Sequence, residues 1–267
     1  MSDAKEIITR FNARDEEAQS ISINHGEAIY FSDRSPKKDT PNEDALAIIP
    51  IDNETTVLIV ADGLGGLAEG ELASKLVVES LINSLNDKSI RIREAILNGI
   101  DEANKQLLDL KTNSGTTVSI AEITGNKLRT YHAGDSLILL STGHGKTKYQ
   151  ALSHAPISYA LACGAIDAEK AMSHPERNLI SNYVGSKDMH INIGPLIEIS
   201  TFDTLILSSD AVSDNLYDHE ICQLIREDSL LDGINQLIND CKLNMLEPLP
   251  DRRCHPDDLT LISFRLK

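Results

Sequence analysis

Tryptophan is missing from this sequence, and only four phenylalanines and six tyrosines stand among its 267 residues. A core without large rings must rest on Leu, Ile, Val and Ala, and the 41% apolar content suffices for one large domain or two small ones. Basic residues are scarce as well: 25 Lys and Arg face 41 Asp and Glu, for a net charge of −16. That balance argues against nucleic acid or an anionic membrane surface as the main partner. A phosphorylated ligand would have to be met by local cations, either basic side chains or metals. No apolar run is long enough to span a bilayer, and no basic start leads into an apolar core as in a secretory signal. Cys163, Cys222, Cys241 and Cys254 show no CxxC spacing, which fits separate thiols in a reducing cytoplasm. Repeats, low-complexity tracts and Pro/Gly-rich linkers are absent too.

What is present centres on Thr55-Thr56-Val57-Leu58-Ile59-Val60-Ala61-Asp62-Gly63-Leu64-Gly65-Gly66. A short apolar run with β-branched Val57, Ile59 and Val60, stopped by glycine, reads as a buried strand. It delivers Asp62 to a tight turn, where a carboxylate can ligate a metal, act as a base or merely satisfy its own backbone.

The surrounding chain decides among these. Residues 1–20 are highly charged and read as an N-terminal extension or short surface helix, ahead of a single domain over 21–267. Gly26–Phe31 reads as a strand. The polar loop Ser32–Asn42 carries Arg34, Lys37 and Lys38, and Glu43-Asp44 precedes a second strand, Ala45–Ile49. After Gly66 the apolar period becomes helical through Leu72, Leu76, Val77 and Leu81, and a second helix runs from about Ser89 to Leu110. Strand character returns at Ser114–Ile120. Lys127–His132 and Leu137–Leu140, joined through Gly134-Asp135, give a hairpin signal. Residues 153–187 form an excursion from the sheets. Thr204–Ser209 ends at Asp210, helices fill His219–Met245, and Asp257-Asp258 opens the last strand, Leu259–Phe264. Grouped strands interrupted by helix pairs favour α+β layers over regular βαβ alternation.

Two strands thus end at Asp62 and Asp210, and two begin after Glu43-Asp44 and Asp257-Asp258. In antiparallel sheets a strand's end lies beside its neighbour's start, so these acids can meet at one edge, with Asp135 facing it. Two like charges about 4 Å apart cost ~4 kcal/mol at an effective dielectric near 20. Such a cluster is reasonable only around cations, and an all-oxygen set suits Mg²⁺ or Mn²⁺. Four separate surface turns would leave the same pattern in the sequence.

Glu43-Asp44-Ala45, Asp62-Gly63-Leu64-Gly65-Gly66, Ser114-Gly115-Thr116-Thr117, Gly134-Asp135-Ser136, Ser208-Ser209-Asp210 and Asp257-Asp258-Leu259-Thr260 occur in that order. Together they resemble the protein phosphatase 2C family of metal-dependent Ser/Thr phosphatases, over about residues 24–266. The His174–Ile180 segment is similar to bacterial members. The resemblance implies a four-layer α-β-β-α sandwich, with two central, mainly antiparallel sheets flanked by helices and two Mn²⁺ or Mg²⁺ ions at one end. It implies that Asp62 bridges the ions, that the Gly63 carbonyl binds one, and that Asp210 and Asp257 complete the other. Glu43 and Asp44 would ligate directly or through water, and a third ion would use Asp135, Asp210 and Asp214. Hydrolysis of phosphoserine and phosphothreonine would follow by direct attack of a metal-bridging hydroxide. The substrate would be a phosphoprotein, the product of a Ser/Thr kinase, and the enzyme a monomer without nucleic-acid or membrane partners.

The resemblance has departures. Leu64 stands where some members carry a histidine acid. Asp39 sits where a basic phosphate clamp is usual, leaving Lys38, Lys37 or Arg34 to serve. Ala211 replaces a glycine, and Asp258 replaces an asparagine and adds negative charge near the metals. A pseudophosphatase, keeping the fold as a binding or regulatory module, is the rival from another class. Gly143–Thr147 lacks the glycine and helix of a phosphate-binding loop, and Gln223 breaks the zinc-protease pattern begun at His219-Glu220. His132, His154, His174 and His255 are scattered and read by default as partly buried or surface residues.

Overall fold

Along Asp44–Pro50 successive side chains face opposite ways: Ala45, Ala47 and Ile49 enter one apolar cluster, Leu46 and Ile48 another. A strand buried on both faces lies between two layers, and this alternation recurs through the chain. The structure is a computed structural model that describes residues 6–24, 26–64, 69–167, 170, 174, 176, 179–247 and 252–267.

Its strands are β1 (Ile8–Phe11), β2 (Gln19–Ile23), β3 (Gly26–Asp33), β4 (Asp44–Pro50), β5 (Thr55–Asp62), β6 (Val118–Thr124), β7 (Lys127–Ala133), β8 (Leu137–Ser141), β9 (Thr147–Gln150), β10 (Asn192–Ile193), β11 (Ile197–Glu198), β12 (Thr204–Ser208) and β13 (Leu259–Leu266). The helices are α1 (Gly70–Leu85), α2 (Ile92–Leu110), α3 (Pro156–Ala162), α4 (Asp210–Ser213), α5 (Asp218–Leu224) and α6 (Leu230–Leu246). One sheet runs β1-β4-β5-β6-β7-β10, with β11 also on β7, and the other runs β2-β3-β13-β12-β8-β9. Each pairing among the described residues is antiparallel.

Three apolar clusters define four layers. Val77, Leu81, Ile96 and Ile100 of α1 and α2 pack on Ala47, Val57, Ile59 and Ile120 of the first sheet. Leu46, Leu58 and Val60 meet Ile138, Leu205, Leu207 and Ile262 between the sheets. Ile221, Ile234 and Leu237 of α5 and α6 cover Phe31, Leu139, Ile206 and Leu261 on the far side. Aliphatic side chains therefore build the α-β-β-α stack, as the scarcity of rings requires. All four cysteines are free thiols.

Two readings of the sequence change here. The described part of residues 1–20 is no helix or free extension, because β1 pairs with β4 and β2 with β3, adding an edge strand to each sheet. Nor do β7 and β8 form a hairpin: β7 pairs with β6, whereas β8 pairs with β12 and β9 in the opposite sheet. The Gly134-Asp135 turn is a crossover from one sheet to the other. Gly134 has φ +126°, and a Cβ there would lie 2.5 Å from Thr117 Cβ. Both facts demand glycine. Gly134→Ala is expected to destabilise the fold by about 1–3 kcal/mol, seen as a drop of several degrees in the melting temperature of metal-free protein; an unchanged melt would contradict the crowding. Within 153–187, α3 leads out and Val184 returns to bridge Thr116. Pro175, Arg177 and Asn178 of the family-like segment, and Gly65-Gly66, lie outside the described residues.

Candidate metal centre

Antiparallel register brings the acids together. Asp44 and Asp62 are Cα partners at the end of the β4–β5 pair. On the opposing sheet, Asp210 follows β12 and Asp257-Asp258 precede β13, where Ser208 pairs with Leu261 and Ser209 N donates to Thr260 O. Asp135 sits on the crossover into β8, whose Leu137 pairs with Ser208. The sheets touch through these groups, since Asp210 N–H points at Asp62 Oδ2, 3.5 Å away.

The local backbone around Asp62 is tightly held. Its N–H donates to Thr117 Oγ1, and its carbonyl accepts from Thr117 N and Thr116 Oγ1. Thr117 Oγ1 also meets Ser136 Oγ at 2.6 Å, joining the Asp62 turn to the Asp135 crossover. Gly63 N donates to Glu43 O, and a Cβ on Gly63 would stand 2.7 Å from that oxygen, so glycine allows the two turns to close. Ser74 Oγ of α1 donates to the same Glu43 carbonyl. In the sequence the Ser114-Gly115-Thr116-Thr117 run stands out only through its resemblance to the family. Its work as a bracket for Asp62 was hinted at by hydroxyls at a strand start, but the partner lies 54 and 55 residues away.

The carboxylates themselves are poorly compensated. Burial, then repulsion from Asp258 and Asp257, pushes Asp44 well above the usual carboxylate range. Burial and then Asp44, Asp257 and Asp135 do the same to Asp62, and burial and then Asp62, Asp214 and Asp135 to Asp210. Asp135 rises to about 6, mainly through burial, with Asp214 and Asp257 adding repulsion. Asp257 is raised by burial despite a hydrogen bond from Asp258 N–H. Asp44 Oδ2 and Asp210 Oδ1 are buried with no hydrogen-bond partner among the described residues. Buried carboxylate oxygens without donors, in a cluster whose members repel one another, fit a hard cation, which takes oxygen ligands and supplies the missing charge. Among the described residues no group of three acidic, histidine or cysteine side chains already forms an ion-holding set.

Glu43 and Asp214 flank this centre. Asp214 caps α4 and lies 3.5 Å from His255 Nδ1, which is 3.8 Å from Asp257 Oδ2. His255, left among scattered histidines by the sequence, therefore stands at the centre's edge. His154 lies behind the crossover, where its Nδ1 accepts from Gly134 N. The three basic candidates separate: Lys37 is exposed, Arg34 faces Asp39 at 3.9 Å, and Lys38 Nζ alone of them reaches the acids, 2.9 Å from Glu43 Oε2 and 2.5 Å from Asp258 Oδ2.

Comparison with known proteins follows the same lines. A sequence model described as protein phosphatase 2C matches residues 33–244. Protein phosphatase PhpP of Streptococcus pneumoniae is 29% identical over 185 residues, spanning 65% of this chain and 74% of that protein. A solved serine/threonine phosphatase of S. agalactiae superposes with a TM-score of 0.79 at 22% identity, covering 91% of this chain and 100% of that one. The catalytic domain of the phosphatase PstP, solved with two manganese ions, superposes at 0.70 with 22% identity, covering 97% and 99%.

Proposed function

This chain belongs to the protein phosphatase 2C family, and from that premise we propose that it is a metal-dependent phosphoprotein Ser/Thr phosphatase using two Mn²⁺ or Mg²⁺ ions. The observation that carries the reading is the facing of Asp44 and Asp62 across β4–β5 against Asp210 of the other sheet, with buried oxygens that find no hydrogen-bond partner among the described residues.

In this reading Asp62, the Gly63 carbonyl, Asp210 and Asp257 would hold the two ions, with Glu43 and Asp44 ligating directly or through water. Asp135, Asp210 and Asp214 would take a third. When bound, the ions supply an activated water nucleophile at neutral pH and offset charge on the phosphoryl oxygens. The chain's own part is orientation. Thr116 and Thr117 fix the Asp62 backbone, Ser74 fixes Glu43, and the Lys38 ammonium beside Glu43 would meet an incoming phosphate. No serine, cysteine or histidine is asked to form a covalent phosphoenzyme. The substrate is then a phosphoserine or phosphothreonine protein made by a Ser/Thr kinase, and the enzyme acts as a monomer in the cytoplasm. No helix among the described residues is long and apolar enough to cross a membrane.

The test is hydrolysis of p-nitrophenyl phosphate and of a phosphothreonine peptide with Mn²⁺, Mg²⁺ or EDTA. Turnover is expected with either ion and loss of it in EDTA. Folded protein without ion-dependent turnover would instead support the pseudophosphatase rival.

A further inference from the structure

Asp258 is the acid that the metal reading does not use. It is buried, 3% exposed, one residue after Asp257 at the entry to β13. Its Oδ1 accepts from Ser35 N at 2.7 Å, and its Oδ2 accepts from Glu43 N at 2.7 Å and from Lys38 Nζ at 2.5 Å. Three N–H donors, one of them charged, occupy both oxygens. A carboxylate so engaged has little capacity left for an ion, and its charge is matched by a lysine 220 residues away in sequence. The extra negative charge expected near the metals from the sequence is therefore neutralised locally.

The same contacts organise the loop over residues 35–43. Asp258 holds its start at Ser35, its end at Glu43 and its one inward-reaching cation, Lys38. An ammonium carries three N–H donors. Two meet Asp258 and Glu43, and with the side chain 22% exposed the remaining one is open to a ligand from solvent. An untethered lysine has roughly 2 kcal/mol of rotamer freedom to lose on binding an anion. Tethering removes much of that cost beforehand.

We infer that Asp258 is a positioning residue for phosphate recognition: its carboxylate holds the Lys38 ammonium at the mouth of the centre, ready to donate to a phosphoryl oxygen. The inference rests on the phosphatase reading and deepens it. It makes Lys38 and Asp258 one functional pair, in which Asp258 acts only through Lys38.

Two measurements test it. The first compares wild type, Lys38→Met, Lys38→Arg, Asp258→Asn and the Lys38→Met/Asp258→Asn double variant, reading KM for p-nitrophenyl phosphate and Ki for inorganic phosphate at saturating Mn²⁺. Lys38→Met is expected to raise both by roughly 10-fold, the effect of one charge-assisted hydrogen bond, and Lys38→Arg to recover most of the loss. Asp258→Asn is expected to raise both several-fold, and the double variant to match Lys38→Met rather than the product of the two singles. Multiplicative effects, or a lowered kcat with KM and Ki unmoved, would overturn the pairing while leaving the phosphatase reading intact. The second measurement needs no variant. Acetic anhydride labelling of wild type, read by mass spectrometry, should modify Lys38 more slowly than Lys37, and inorganic phosphate with Mn²⁺ should slow Lys38 further without affecting Lys37. Equal labelling, or no phosphate protection at Lys38, would sink the inference whatever the turnover of the protein.

Discussion

Asp62→Asn is expected to lower ion-dependent turnover by more than about 10²-fold, beyond the 10- to 100-fold that losing an outer-shell partner of a metal site costs. The protein should stay folded. The backbone of residue 62 is held by Thr116 and Thr117 regardless of its side chain, and asparagine has the same shape. The carboxylate's role in the metal-free fold is moreover unfavourable: it is buried, repelled by Asp44, Asp257 and Asp135, and approached only distantly by Asp210 N. Deleting that charge should leave the melting temperature in EDTA unchanged or raise it, while shrinking the gain that Mn²⁺ gives the wild type. A simple structural aspartate would behave the other way, losing stability and keeping activity. Near-normal turnover in Asp62→Asn would refute the ion-ligating role proposed for this residue.

The carboxylate edge was legible because each acid sits where a hydrophobic pattern stops or starts. Val57–Ala61 and Leu205–Ser208 end on Asp62 and Asp210, and antiparallel pairing does the rest. Sheet membership was not legible. Gly134-Asp135 between two apolar strands looks the same whether the chain returns along the same sheet or crosses to the other. The choice is made by partners far away, β6 for β7 and β12 for β8. The first strand was hidden for a related reason: β1 is an edge strand with half-buried side chains, so Ile8 and Phe11 are outweighed by charged neighbours. In the basic loop, the resemblance placed its expected cation at Asp39 and left Lys38, Lys37 and Arg34 open, whereas the structure turns Lys38 inward onto Asp258 and Glu43. A pair so distant in sequence leaves no trace in either local pattern.

Metal removal should show its effect most clearly as a function of pH. In the metal-free fold, Asp44, Asp62, Asp210 and Asp257 are raised and Asp135 stands at about 6, so the folded protein keeps protons that ordinary carboxylates of the unfolded chain release near pH 4. Groups raised in this way stabilise the fold at low pH and lose that contribution as pH rises through their folded values, with a slope of up to about 1.4 kcal/mol per pH unit for each. His132 and His154, the latter lowered to about 4, act in the opposite sense: both are buried and lowered, and their contribution is lost as pH falls through about 6.5, where the unfolded histidines protonate. The raised carboxylates outnumber the lowered histidines, which only blunt the slope below about pH 6.5. Protein in EDTA should melt progressively lower as pH rises from about 4 through about 6, where Asp135 releases its proton, and should keep falling while the other raised carboxylates release theirs. Mn²⁺ competes with those protons, so its stabilisation should grow with pH. At 100 times its dissociation constant an ion contributes about 2.7 kcal/mol, or roughly 5–10 °C for a chain of this size. Differential scanning fluorimetry across this range, with Mn²⁺ or EDTA, reads both trends. Coincident melting curves, or a Mn²⁺ gain that shrinks as pH rises, would mean that the converging acids are not an ion site of the native fold.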